Sequence, residues 1–275
     1  MSSTRLSDRN VLLQEAAALQ QRGHHDGAVR ALTRLLQAFP GDGEALHLRG
    51  VLALQQGRTD AAIADLRRAV KAQAGPLALA NLGIALAASG AVEEAETVLR
   101  QAVGEAGDHP QAAYNLGHLL AGRGADEEAE AWLRAAVRQA PAYTRASCEL
   151  AAMLLRSGRA PEARICLDEA LRHAPDHPVV LLHLGLAARL LGDHAAACAH
   201  FQACRPALGP QRDLMLGLGA SLQETGRLED ALDVYRAILA HDPAAYGDVL
   251  RALASGSHGC FDLRPSRMRT LLGLA

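Results

Sequence analysis

Seven glycines fall at a nearly fixed interval: Gly23, Gly57, Gly90, Gly124, Gly158, Gly192 and Gly226. Every step is 34 residues except the second, Gly57 to Gly90, which is 33. Five residues after each glycine stands an alanine: Ala28, Ala62, Ala95, Ala129, Ala163, Ala197 and Ala231. Four further on stands a large apolar residue: Leu32, Leu66, Leu99, Leu133, Leu167, Phe201 and Tyr235. A period of this length marks one supersecondary unit that cannot bury its apolar face alone and stacks on its neighbours instead.

Each unit reads as two helices. Before the glycine, Leu79, Leu82, Gly83 and Leu86 recur at helical spacing; after it, Ala95, Leu99 and Ala102 make a second stripe. The glycine sits where the first helix stops and the chain reverses, a place for positive φ. Acids such as Glu93-Glu94 and Asp126-Glu127-Glu128 open second helices, where the helix end is positive. Pro40, Pro141, Pro175 and Pro243 close units, since proline cannot continue a helix. At the short step, Ala74-Gly75-Pro76 replaces the closing proline. The missing residue is expected to be absorbed in that turn, with a slightly altered crossing angle.

Composition agrees. The 275 residues include 57 alanines and only 3% aromatics, so the core is made of helices in close contact. A sandwich or barrel would call for β-branched and aromatic residues. No apolar run approaches the roughly 18 residues of a membrane span, and the start has no apolar segment of a secretory signal. Five scattered cysteines without a C-x-x-C pair read as reduced thiols, which points to the cytoplasm. A net charge of −2 offers no electrostatic case for nucleic acid.

The pattern resembles the tetratricopeptide repeat family, whose unit carries W-x₂-L-G-x₂-Y followed by A-x₃-F, A and P. The L-G pair appears as Leu82-Gly83, Leu116-Gly117, Leu184-Gly185 and Leu218-Gly219, with weaker versions at Arg49-Gly50, Leu150-Ala151 and Glu15-Ala16. The family's rings are mostly replaced by Leu, Ala or Met. The resemblance implies an all-α, right-handed superhelical solenoid of helix-turn-helix repeats, of the kind found in bacterial members. The expected organisation is an N-terminal tail over 1–8, seven repeats over 9–243 and capping helices over 244–275. In the tail, Ala245 to Ala254 reads as an eighth first helix with Val249, Leu250 and Leu253 apolar, 255–259 as a loop, Phe261 and Leu263 as a short extended piece, and Pro265 as the start of a helix carrying Met268, Leu271 and Leu272; these are the apolar residues able to close the open end. A capped end would need no further domain.

Residues able to carry chemistry have a structural explanation in most cases. Asp108-His109-Pro110 and Asp176-His177-Pro178 are two repeats apart and fall in the same inter-repeat turn, so they are expected to be turns and not acid–base pairs. No nucleophile or phosphate-loop motif accompanies them, and no catalytic residue or cofactor is assigned. His194 with Cys198, and His200 with Cys204, have the spacing of zinc ligands on a helix, but the two pairs point in different directions and no metal is expected. Arg67, Arg100, Arg134 and Arg236 recur at one position of the second helices. Without an aromatic platform they read as a solvated face.

The first helices are different. The residue before the L-G pair is Asn81, Asn115, Glu149 and His183 in successive repeats, between Leu48 and Gly217. The neighbouring positions add His47, Tyr114 and His118. The resemblance implies that these helices line a concave groove where ligands bind. The Asn81 and Asn115 pair is similar to the start of the asparagine ladder in the repeat region of eukaryotic O-linked N-acetylglucosamine transferases. Asparagine both donates to and accepts from a peptide backbone. The expected function is therefore a non-catalytic scaffold or adaptor that holds a protein or peptide segment, with self-association possible. The alternative is the repeat region of, or an accessory subunit to, a larger enzyme such as a sulfotransferase, glycosyltransferase or oxygenase. As wet groove residues, Asn81 and Asn115 are expected to contribute little to stability.

Overall fold

A computed structural model of the chain describes residues 2–106, 109–256 and 269–273, with side chains from residue 8 onward and up to 105 before the first gap. The chain divides into two compact units, Met1–Gln139 and Ala140–Ala275. Among the described residues there is helix and no strand.

The first unit holds four helical hairpins: α1 (Ser2–Gln21) with α2 (His25–Ala38), α3 (Gly43–Gln55) with α4 (Thr59–Lys71), α5 (Pro76–Ala88) with α6 (Val92–Ala106), and α7 (Pro110–Gly122) with α8 (Asp126–Gln139). The second holds α9 (Thr144–Arg156) with α10 (Ala160–His173), α11 (Pro178–Leu190) with α12 (His194–Leu208), and α13 (Arg212–Glu224) with α14 (Leu228–His241). A 3-10 turn, Pro243–Ala245, leads into α15 (Tyr246–Ser255). Within each unit the two helices of a hairpin pack on each other, and the second helix packs on the first helix of the next hairpin. The first helix already begins at Ser2, although residues 1–8 read as a tail. No Gly or Pro lies between Ser2 and Asn10 to stop it.

All seven periodic glycines have φ between +70° and +86°. The N–H after each one bonds the carbonyl five residues back, at 2.8–3.0 Å, from His24 to Leu19 through Arg227 to Leu222. This is the Schellman closure, which satisfies carbonyls left orphaned at the helix end. The short step is absorbed in two places. Helix α4 has 13 residues where α2, α8, α10 and α14 have 14. Its end is then closed by the same motif, Ala74 N–H to Ala69 O at 3.0 Å, but with Gln73 at φ +55° in the left-handed position. Gly75 follows at φ +87°.

The hairpins are held by a fit of small against large. A Cβ added to Gly50, Gly83, Gly117, Gly185 or Gly219 would lie 2.7, 2.4, 2.9, 2.7 or 2.5 Å from a side-chain atom of Leu66, Leu99, Leu133, Phe201 or Tyr235. These are the large residues of the second helices, and all five are buried. In the first and fifth repeats the small residues are Ala16 and Ala151, opposite Leu32 and Leu167. Phe201 reaches further than the leucines. Its ring also stands 2.7 Å from where a Cβ of Gly217, on the next first helix, would be.

One hairpin replaces its apolar pair with an ion pair. Arg49, in the place of the usual leucine, donates through Nε and Nη2 to the two carboxylate oxygens of Asp65 at 2.6 and 2.7 Å. Other repeats pair Leu82 with Val98 or Leu218 with Val234 at these positions. The bidentate geometry suits a buried carboxylate.

At the other end, Val249, Leu253 and Leu272 are buried in the same apolar cluster as Tyr235 and Leu239. Gln223, fully buried, donates to Leu253 O at 3.1 Å and accepts from Tyr235 Oη at 3.4 Å. Arg236 donates to Leu271 O at 2.9 and 3.0 Å. Phe261, Leu263, Pro265 and Met268, like Asp108, lie outside the described residues.

Two outcomes follow for stability. Gln73→Gly should raise the free energy of unfolding by roughly 1 kcal/mol, since glycine avoids the left-handed steric cost; a drop in the urea midpoint would contradict that reading. Arg49→Leu alone should cost up to about 3 kcal/mol, because it strands a buried carboxylate, whereas Arg49→Leu with Asp65→Val should be close to neutral. A double-mutant cycle in urea checks this, and additive losses would remove the case for a coupled pair.

Candidate functional site

The turn residues do structural work. His177 and His109 precede α11 and α7, each followed by a proline at the first helical position. His177 Nδ1 accepts from Val180 N–H at 3.4 Å, and Asp193 caps α12 by accepting from Ala196 N–H at 3.1 Å. Cys198 and Cys204 are buried in the apolar cluster of the second unit. Burial raises both thiols above the ordinary range. It pushes Cys148 up to about 12, so that thiol is held protonated and is a poor nucleophile. Among the described residues, no three His, Cys, Asp or Glu side chains gather in a way that could hold a metal.

The arginine row is engaged. Arg67 donates to Glu94 at 2.6 Å, and Arg100 to both oxygens of Glu128 at 2.6 and 2.9 Å. In each case the acid is on the second helix of the following repeat. Arg134 pairs with Glu130 one turn back, and Arg236 with Asp233 and the Leu271 carbonyl. Such exposed pairs each contribute little, but they leave this row supplied with acceptors.

The first-helix row is built in two parts, one in each unit. In the first unit, Asn81 on α5 donates through Nδ2 to His47 Nε2 on α3 at 2.7 Å. That arrangement needs a neutral imidazole. Burial, only partly opposed by Glu44, lowers the His47 pKa and favours the same form. Tyr114 and Asn115 on α7 are buried, 6% and 8% exposed, while His118 one turn on is exposed. The His118 ring stacks on Tyr114 with centroids 5.9 Å apart. In the second unit, Glu149 on α9 and His183 on α11 are half-buried. His183 Nδ1 donates to Val179 O at 2.9 Å, which leaves Nε2 as an acceptor. Burial lowers the His183 pKa, and Glu149 partly offsets it.

Asn115 departs from the expected wet rung. Its Nδ2 is fully buried with no hydrogen-bond partner, and its side chain lines a pocket of about 460 Å³ between α5 and α7. Leu99 of α6 lies at the base, and Ile84, Ala88, Leu119 and Gly122 form walls. Sequence reasoning placed Asn115 and His118 in the binding row but gave no sign of a pocket. The pocket depends on how much space Leu99 leaves beside Asn115, which a repeat pattern does not encode.

The stability roles of the two asparagines therefore differ. Asn81→Leu removes the bond to His47 and should cost about 1 kcal/mol, whereas Asn115→Leu removes an unsatisfied buried donor and should gain roughly that amount. Thermal and urea unfolding of the two variants measure it. Equal losses would mean that the Asn115 amide is satisfied in solution.

The sequence matches family models described as tetratricopeptide repeat over residues 13–78, 53–110 and 148–213, with further models of that description over 86–147 and 213–245. A comparison with curated proteins returns no match. Among solved structures, the chain is similar to PilF of Pseudomonas aeruginosa, with 19% identity and a TM-score of 0.68 over 77% of this chain and 96% of that one. PilW, a type IV pilus biogenesis factor, gives 19%, 0.65, 75% and 96% in the same order. MamA of Desulfovibrio magneticus RS-1 gives 18%, 0.55, 62% and 97%. At these identities the likeness concerns the fold.

Proposed function

The chain belongs to the tetratricopeptide repeat family, and from that premise we propose that it is a non-catalytic scaffold whose first helices hold a polypeptide segment. The observation that carries this reading is the polar row on α3, α5 and α7 of the first unit, His47, Asn81, Tyr114, Asn115 and His118, with Glu149 and His183 at the same repeat position within the second unit. The recurring arginines of the second helices, Arg67, Arg100, Arg134 and Arg236, are each paired with an acid. The first-helix row sets amide and imidazole groups among small apolar residues, the mixture that a peptide backbone and its side chains call for. A preformed row also spares the protein the entropy of ordering itself on binding.

The chemistry of the chain fits a passive role. Its described cysteines are free, and burial holds the thiols of Cys148, Cys198 and Cys204 protonated. Reduced cysteines support a cytoplasmic setting. No described helix is long and apolar enough to cross a membrane.

Selection of peptides from a random display library against the full chain tests the proposal. Selected peptides should lose affinity severalfold, about 1 kcal/mol per lost bond, on Asn81→Ala. Sedimentation of the free chain reports self-association as the competing use of the row. Peptides that bind equally well to the Asn81→Ala and Glu149→Ala variants would place recognition elsewhere and end this reading.

A further inference from the structure

We propose that the pocket between α5 and α7 is an anchor site for an aromatic side chain of the bound polypeptide, with the Asn115 amide turning on binding so that Nδ2 donates to a carbonyl beside that side chain. The inference rests on the polypeptide-binding reading and names the kind of residue that this part of the row selects.

Three observations converge. The first is volume and lining. A space of about 460 Å³ lined mostly by apolar residues, Ile84, Ala88, Leu99, Leu119 and Gly122 among them, with His118 also in its lining, lies within the range of ligand pockets. Arg123 at its rim is already engaged by Glu96, so this rim cation does not call for a carboxylate on the occupant. The second is the donor. Asn115 is more than nine-tenths buried and its Nδ2 has no partner, a state that costs free energy until an acceptor arrives. Once the amide turns about its terminal torsion, a carbonyl in the pocket supplies that acceptor, and an apolar ring beside it covers the surrounding surface.

The third comes from the chain itself. Leu99 and Asn115 occupy the same repeat register as Phe201 and Gly217, three periods on. There the phenyl ring packs against Gly185 and reaches Gly217 on the following first helix, with Cβ-to-ring distances of 2.7 Å on both sides. The architecture thus seats a phenyl ring beside this register position when the chain provides one. In the third and fourth repeats, the shorter Leu99 leaves the adjoining space open. Aromatic residues dominate as anchors in such pockets because they bury much surface with few rotatable bonds.

The test uses the full, 15N-labelled chain and three small probes: N-acetyl-phenylalanine methylamide, N-acetyl-alanine methylamide and toluene. The phenylalanine probe should shift the Asn115 side-chain amide and the backbone amides of Leu119 and Gly122, at least tenfold more tightly than the alanine probe. Ala88→Phe, at an exposed position on the rim, should abolish those shifts. Asn115→Leu should weaken the phenylalanine probe at least fivefold while leaving toluene, which has no carbonyl, unaffected. Absence of binding by the phenylalanine probe, or binding unchanged by Ala88→Phe, overturns the proposal. So does an equal loss of the phenylalanine probe and toluene in Asn115→Leu, which would deny the donor its role. Display-selected peptides separate this proposal from the reading beneath it. Peptides that depend on Asn81 but tolerate loss of every aromatic residue leave the row standing and remove the anchor. Probe binding with no peptide recovered removes both the row and a polypeptide occupant.

Discussion

Every hairpin depends on one steric match, a residue with little or no side chain on the first helix facing a large apolar residue on the second. The glycine or alanine lets the two helices approach until leucine, phenylalanine or tyrosine lies against bare backbone. Dispersion contacts then replace the ring-against-ring packing that this aromatic-poor chain lacks. The arrangement is demanding. An extra methyl group at Gly83 would need Leu99 to move from 2.4 Å to ordinary contact distance, and crowding of a packed core is costly. It is also economical in sequence terms, since two residues per repeat define it and the remaining positions are free to vary.

That economy is why the fold was so readable. The spaced glycines specified seven turns, and each of them has the positive φ and five-back hydrogen bond that the turn requires. The L-G pairs and the large residues specified which faces meet. What the pattern did not show was how individual repeats depart from it. A one-residue deletion looked like a matter for the loop, whereas α4 ends a residue early and Gln73 takes a conformation normally left to glycine. Arg49 looked only like a weaker version of the L-G pair, and nothing in the pattern pointed to Asp65. Only their proximity across the hairpin shows that each makes the other tolerable.

The candidate site was legible in position more than in character. Neighbouring first helices lie side by side, so His47, one position before the Leu48 that shares the Asn81 register, comes within reach of Asn81. Register says nothing about depth. Asn115 follows Asn81 by one period, yet it is buried beside a pocket while Asn81 is tied to an imidazole. Burial at a repeat position is decided by the neighbours' sizes, and those differ from repeat to repeat. The same argument explains Gly217. It ends the polar row because Phe201 takes the space that a side chain there would need.

Phe201 also carries a consequence for how such a chain can change over time. Arrays of repeats grow and shrink by copying or losing whole units, and units that touch only through generic leucine faces can be exchanged freely. The sixth and seventh units are not exchangeable in this sense. A duplicate of the sixth placed before any unit with a side chain at the Gly217 position would drive a phenyl ring into that side chain. A seventh unit placed after a leucine-bearing neighbour would leave a void beside its glycine. The two must be inherited together, as one composite segment of about 68 residues, while the units before them keep the freedom to be rearranged.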